Sequence, residues 1–225
     1  MRRMFRACAL FAFPLALAAC SIPSVSGNEA ARQAMRPAQP AFPASASERI
    51  CLARLSARQA DFTPLPDRYY GAGCSTLDTV ELSALHGDDA NFTLSNLGPV
   101  TCPLADTFAG WARYGVDRAA RVVLGSALVR IETYGSYNCR DVAGTDRLSA
   151  HATANAIDVA AFDLADGRRI SVKADWNGGT PAERKFLRIV HNSACKRFGT
   201  VLGPGYNAAH KDHFHLERSA SSFCG

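Results

Sequence analysis

Ser149-Ala-His151-Ala-Thr-Ala-Asn-Ala-Ile-Asp158-Val-Ala-Ala-Phe162 is the stretch on which the fold turns. From Ala156 to Phe162 it is a short run of small, β-branched and aromatic residues, which reads as a strand. Ala165-Asp166-Gly167 then supplies a turn, and Arg169-Ile-Ser-Val-Lys173 a second strand, so the two form a hairpin. Upstream, Ala127 to Tyr134 alternates as a strand does, and Leu77–Leu82 and Phe92–Leu94 read as shorter ones. His213 to Leu216 is the last strand. Helices separate them. Pro181 to Cys195 is the clearest, with Pro in its first turn and Phe186, Ile189 and Val190 on one face. Cys102-Pro103 opens another through Trp111 and Ala112, and Ser47 is the expected N-cap of a first helix through Leu55. Pro64, Pro66, Gly71 and Gly73 make residues 61–73 read as irregular. The expectation is an α+β domain, a small antiparallel sheet with flanking helices, the chemically interesting segments lying at strand edges.

The domain occupies residues 48–225, a length one core can serve. What precedes it is different in kind. Arg2, Arg3 and Arg6 followed by an apolar run from Ala7 to Leu17 form an export signal over residues 1–19, too short to span a membrane stably. Its end, Leu17-Ala-Ala-Cys20, is similar to the lipobox of bacterial lipoproteins, which makes Cys20 the candidate for lipidation. Residues 20–47, rich in Pro, Ser and Ala, read as a disordered tether that holds the domain off a membrane. The expected location is therefore the bacterial cell envelope, lipid-anchored and facing the periplasm. Ser21 stands where Asp commonly favours inner-membrane retention, so the outer membrane is preferred.

Of eight cysteines, Cys8 lies in the signal and Cys20 is assigned to lipid. Cys51, Cys74, Cys102, Cys139, Cys195 and Cys224 remain, an even set in an exported chain, and so candidates for three disulfides. The sequence does not choose among the pairings. Linking Cys51 to Cys224 would tie the two ends of the domain together. No Cys-x-x-Cys pair occurs, which argues against a thiolate metal site. The formal charge of +5 falls to mildly basic once the three signal arginines are removed, and no Lys/Arg run suggests nucleic-acid binding.

Three of the six histidines fall within His210-Lys-Asp212-His213-Phe-His215. Period-two alternation puts His213 and His215 on one face of a strand. His151 sits in the loop entering the Ala156 strand, Asp158 projects from that strand, and Ala154 and Ala156 are small enough to allow close approach. A His, an Asp and a second His can give a zinc ion three protein ligands and leave a position open, the arrangement of a catalytic rather than a structural zinc. Two His and one carboxylate also suit other first-row ions, and geometry decides between them. Asp212 or His213 is then placed to act as the base. Ser149 would fix the loop or hydrogen-bond a ligand. His210 would contact substrate or end the loop, which Asn207 and Tyr206 shape around the Gly203-Pro204-Gly205 turn. His191, Trp111 and Trp176 read as structural.

The Ser-x-His-x6-Asp pattern with a late His-x-His resembles the zinc peptidases of the lysostaphin, D-Ala-D-Ala metallopeptidase and hedgehog type. The chain also resembles the bacterial extensin-like C-terminal family, in Tyr137-Asn-Cys-Arg140, Leu148-Ser-Ala-His151, Ala156-Ile-Asp158-Val, Phe198 through His210, and Asp212-His-Phe-His215-Leu. That resemblance covers roughly Ile50 to Cys224. The Ser-Pro repeats of plant extensins do not occur. The peptidase resemblance implies His151, Asp158 and His215 as zinc ligands, Asp212 as base in a position where Glu is more usual, and Arg140 as the residue that binds a substrate carboxylate or the developing oxyanion. Asn155 stands where Gly is common. Together the resemblances imply a zinc-dependent peptidase acting on peptidoglycan stem peptides or cross-links; the alternatives are a metal-containing module that binds cell wall without turnover and a disulfide-stapled structural protein. Asp212 and His213 discriminate the first two. Oligomeric state is not legible.

Overall fold

The computed structural model describes residues 45–220 and 222–225, which fall in one compact unit. The expected signal, Cys20, and the expected tether up to residue 44 lie outside the described residues. The last residues assigned to the tether already belong to the domain. Ser45 caps helix α1 (Ala46–Ala57): its hydroxyl accepts from the Glu48 backbone N–H at 3.0 Å, and the Glu48 carboxylate accepts from the Ser45 N–H at 3.2 Å. That reciprocal pair is a capping box, so the cap is Ser45 and not Ser47.

Twelve strands follow among the described residues: β1 (Asp61–Pro64), β2 (Arg68–Gly71), β3 (Cys74–Thr76), β4 (Thr79–His86), β5 (Asn91–Ser95), β6 (Pro99–Thr101), β7 (Leu128–Gly135), β8 (Ala156–Leu164), β9 (Arg169–Ser171), β10 (Thr200–Leu202), β11 (Phe214–Glu217) and β12 (Phe223–Cys224). Ten form one sheet in the order β1-β4-β5-β7-β8-β11-β10-β12, with β6 also on β4 and β9 also on β8; β2 and β3 make a separate antiparallel hairpin. The class is α+β, as the pattern predicts. The antiparallel strands read from the sequence are the middle of this larger sheet, which carries parallel pairs at β5–β7 and β10–β12. Residues 61–73, expected to be irregular, contain β1 and β2. Pro64 is tolerated because it ends β1, an edge strand, where its missing N–H costs no ladder bond.

The helices supply the core. α2 (Cys102–Trp111) runs on through two π-helical segments, Ala112–Asp117 and Ala120–Leu124, which pack on α4 (Pro181–Cys195), and α4 in turn packs on α3 (Val172–Gly178). Trp111 is fully buried, packs against Phe108, Phe162 and Phe198, and donates its indole N–H to the Val190 carbonyl at 3.2 Å. Gly115 lets the π segment approach α4, because a Cβ there would collide with the Ser193 hydroxyl. On α4, Phe186, Leu187 and Val190 face the core, whereas Ile189 is turned outward. Trp176 is buried against His191 and Phe214, not displayed.

Three disulfides pin this arrangement: Cys51–Cys102 joins α1 to α2, Cys74–Cys139 joins the β2–β3 hairpin to the loop before Arg140, and Cys195–Cys224 joins the end of α4 to β12. All six candidates are used. The Cys51–Cys224 pairing is not formed, since Cys51 faces its near neighbour in the core and the C-terminus is tied to α4 instead. Among the described residues no helix is long and apolar enough to cross a membrane.

Candidate metal centre

The site lies where β8 meets β11. In β8, Ile157 and Val159 face the helical core, and so do Phe162 and Leu164. The skip from 159 to 162 is a bulge: Glu132 and Thr133 of β7 are consecutive, but their partners Ala161 and Val159 are not. The bulge lets β8 keep its core face while Asp158 points to the other side. β11 alternates in the same way, with Phe214 and Leu216 in the core and His215 opposite. In the ladder His215 is the direct partner of Asp158, so the two side chains meet across the strands.

His151 arrives from a one-turn 3₁₀ helix, Ala150–Thr153, capped by Ser149, whose hydroxyl accepts from the His151 backbone N–H at 3.3 Å. The turn is closed by Ala154 at φ +53°. The left-handed residue is therefore Ala154 and not Asn155. Asn155 serves instead as a fastener. Its side-chain oxygen accepts from Thr101 at 3.2 Å and its amide donates to the Arg218 carbonyl at 2.7 Å, tying the turn to β6 and to the chain after β11.

Three donor groups converge. His151 Nε2 is 3.2 Å from Asp158 Oδ2, His215 Nδ1 is 2.9 Å from Asp158 Oδ1, and the two imidazole nitrogens are 3.2 Å apart. Donor atoms around a tetrahedral zinc with bonds of about 2.05 Å stand about 3.3 Å apart; the spacings here are of that size, with the Asp158 carboxylate turning a different oxygen to each imidazole. The outer atoms fit the same role. His151 Nδ1 donates to the Ser136 carbonyl at 3.1 Å, which leaves Nε2 as the lone-pair nitrogen facing inward. His215 Nε2 stands 3.6 Å from the Glu217 carboxylate, so Nδ1 faces the centre. Ligand histidines backed by a carbonyl and a carboxylate are the usual second layer of a metal site.

Electrostatics tighten the cluster. Burial alone would raise the Asp158 carboxyl, but hydrogen bonds from His151 and His215 overcome it and hold the group well below the usual carboxylate range. Burial would lower His215, yet Asp158 and then Glu217 raise it to about 9. Without an ion the triad is thus a buried ion pair, and a cation entering it replaces the imidazolium proton.

Around the triad is a cleft of about 670 Å³ whose walls include Arg140, Arg147, Ser149, Tyr206, Asn207, His210, His213, Glu217 and Phe223. His213 Nε2 lies 3.6 Å from Asp158 Oδ1, and its Nδ1 is 3.0 Å from Asp212 Oδ1. Asp212 is therefore positioned against His213. Asn207 caps a second 3₁₀ turn, Ala208–His210, accepting from the Ala209 and His210 backbone N–H groups, and from His210 Nδ1 at 2.7 Å. Burial, then the neighbouring His213 and His215, pushes His210 down to about 4, so at neutral pH it presents an uncharged ring to the cleft. Arg140, also lining the cleft, is exposed next to a disulfide-held cysteine and donates to the Asp141 carbonyl at 3.2 Å.

Of the residues expected at the centre, His151, Asp158 and His215 form the cluster, Arg140, Ser149, Asn207, His210 and His213 line the cleft around it, and Asp212 joins it through His213. Four further contributors were not foreseen. Glu217 carried a signal, since it shares the His213–His215 period. Arg147 and Phe223 enter the cleft only through the fold. Ser136 acts through its backbone carbonyl, which leaves no mark on residue type. A second donor group, His191, Cys195 and Cys224, also gathers within 4.8 Å, but its two sulfurs are spent in a disulfide.

No curated protein and no solved structure matches the chain. The family model described as Extensin-like protein C-terminus matches residues 49–225, nearly all of the domain, and the chain belongs to that family.

Proposed function

We propose that this domain is a zinc-dependent peptidase of the bacterial envelope, hydrolysing amide bonds in peptidoglycan stem peptides or their cross-links. The observation that carries the reading is the convergence of His151, Asp158 and His215 into one cluster of donors, with orienting groups behind the imidazoles and a substrate-sized cleft in front. The export signal, the lipobox-like Leu17-Ala-Ala-Cys20 and the peptidase-like spacing of the motif support the compartment and the substrate class. On this reading Cys20 carries the lipid, and the anchored domain works on the periplasmic side, at the outer membrane.

The three ligands would hold the ion, which supplies a Lewis acid that polarises a carbonyl and acidifies water. The remaining work belongs to the chain. His213, its Nδ1 tied to Asp212, is the general base through Nε2: it takes a proton from the attacking water and returns it to the leaving amine as the C–N bond breaks. Asp212 orients that ring and stabilises its charged form, a role for which the short Asp side chain suffices. Arg140 offers a guanidinium fork to a substrate carboxylate or to the developing oxyanion. His210 and Asn207 shape the floor of the cleft.

The test is digestion of isolated peptidoglycan by the full chain with zinc, reading the products by mass. Cleaved stem peptides or cross-links, lost in His213→Ala and in Asp158→Ala, are expected. Saturable binding to the wall with no new products, unchanged in His213→Ala, would contradict catalysis and favour the non-catalytic binding module.

A further inference from the structure

A second cavity, of about 280 Å³, shares no residue with the cleft. It is lined by Arg54, Arg58, His86, Arg113 and Tyr114 with two alanines, and no carboxylate lines it. It lies between α1, the helix that begins at Cys102 and the end of β4. Two of its arginines are held from behind. Arg58 pairs through Nε with Asp106, and Arg113 pairs through Nε with Asp88 at 2.9 Å. Pairing through Nε fixes each guanidinium and leaves its terminal Nη groups for another partner. The Arg58 Nη1 and Nη2 atoms stand 3.3 and 3.7 Å from where a Cβ on Gly110 would be, so the bare glycine makes room for the fork. Arg54, one turn before Arg58 on the same face of α1, has no side-chain hydrogen bond or ion pair among the described residues. His86 spends Nδ1 on Asn91 at 2.6 Å, leaving Nε2 uncommitted.

Three guanidinium groups and an imidazole offer more N–H donors than two carboxylate oxygens can accept. A tetrahedral oxyanion with three terminal oxygens satisfies them, and guanidinium forks match its geometry. The cations also exceed the carboxylates behind them, because Asp88 is shared with Arg118, so a dianion is favoured. We infer that this pocket binds a phosphate monoester group. The group arrives either on a soluble phosphorylated molecule or as the headgroup of a lipid.

Titration calorimetry of the full chain with inorganic phosphate, at ionic strength held constant with sodium chloride, tests this. Saturable binding of one phosphate per chain is expected, weakened at least tenfold in Arg54→Gln. That residue is exposed and unpaired, so its replacement leaves the melting temperature unchanged. Ala57→Glu, which puts a carboxylate at the rim, is an independent second variant and is expected to weaken binding as much. Competition then separates the sources: displacement of phosphate by dihexanoyl phosphatidic acid, but not by dihexanoyl phosphatidylcholine, identifies a lipid headgroup, and displacement by neither identifies a soluble ligand. Heats no different from those of sodium chloride, or wild-type affinity in both variants, would overturn the proposal.

Discussion

Two clusters among the described residues bring three metal-type donors together, and only one leaves all three donors free to hold an ion. His151, Asp158 and His215 share no covalent bond, each imidazole has its outer nitrogen facing a carbonyl or a carboxylate, and a cleft opens before them. His191, Cys195 and Cys224 are as close to one another, but the thiols are oxidised to a disulfide, and His191 is packed between Trp176 and Phe214 with Nε2 near the Gly225 carbonyl at 3.2 Å. The first cluster is two imidazoles and a carboxylate held together as a buried ion pair; the second is a covalent staple with a packing histidine. Proximity of donors is common to both. What separates them is free valence, orientation by outer partners, and access.

The contrast can be broken by substitution, the effects on zinc affinity running from large to nil. Asp158→Ala removes a ligand and the only anion of the triad, and titration with zinc should show a loss of more than about a hundredfold, beyond the range typical of outer-layer changes. Glu217→Gln keeps all three ligands but removes the carboxylate behind His215; a loss of about ten- to a hundredfold is expected by the same titration. His191→Ala should leave zinc affinity unchanged and lower the denaturant midpoint, as loss of a buried ring does. The double variant Cys195→Ala/Cys224→Ala should also leave affinity unchanged, while releasing a 29-residue cross-link worth about 3.5 kcal/mol in the loop-entropy account, read by denaturant unfolding. If either of the last two variants lost zinc, the contrast would fail.

How much of this was legible in the sequence follows the same division. The site was readable because alternation along and just before β11 puts His213 and His215 on one face, and Asp158 faces them once β8 and β11 pair; His151 enters from the 3₁₀ turn before β8. The α4 helix was readable to the residue because Pro181 and Cys195 bound an amphipathic run. What failed depended on partners far along the chain. The β1 and β2 strands look irregular locally, and only pairing with β4 and β3 makes them strands. The bulge in β8 leaves no local signature in Val159-Ala-Ala-Phe162. Disulfide partners are chosen by the packing of α1 on α2, which sequence separation does not encode. The Ser136 carbonyl, which sets the His151 tautomer, was beyond reach because any residue can supply it.

The central claim is that the triad is a metal centre. Elemental analysis of the full chain, stripped of metal and then offered zinc at neutral pH, tests that beside a His151→Ala/His215→Ala variant. One zinc per chain is predicted in the wild type and none in the variant. A wild type that takes up no zinc, or a double variant that retains it, would contradict the metal centre and the peptidase reading built on it.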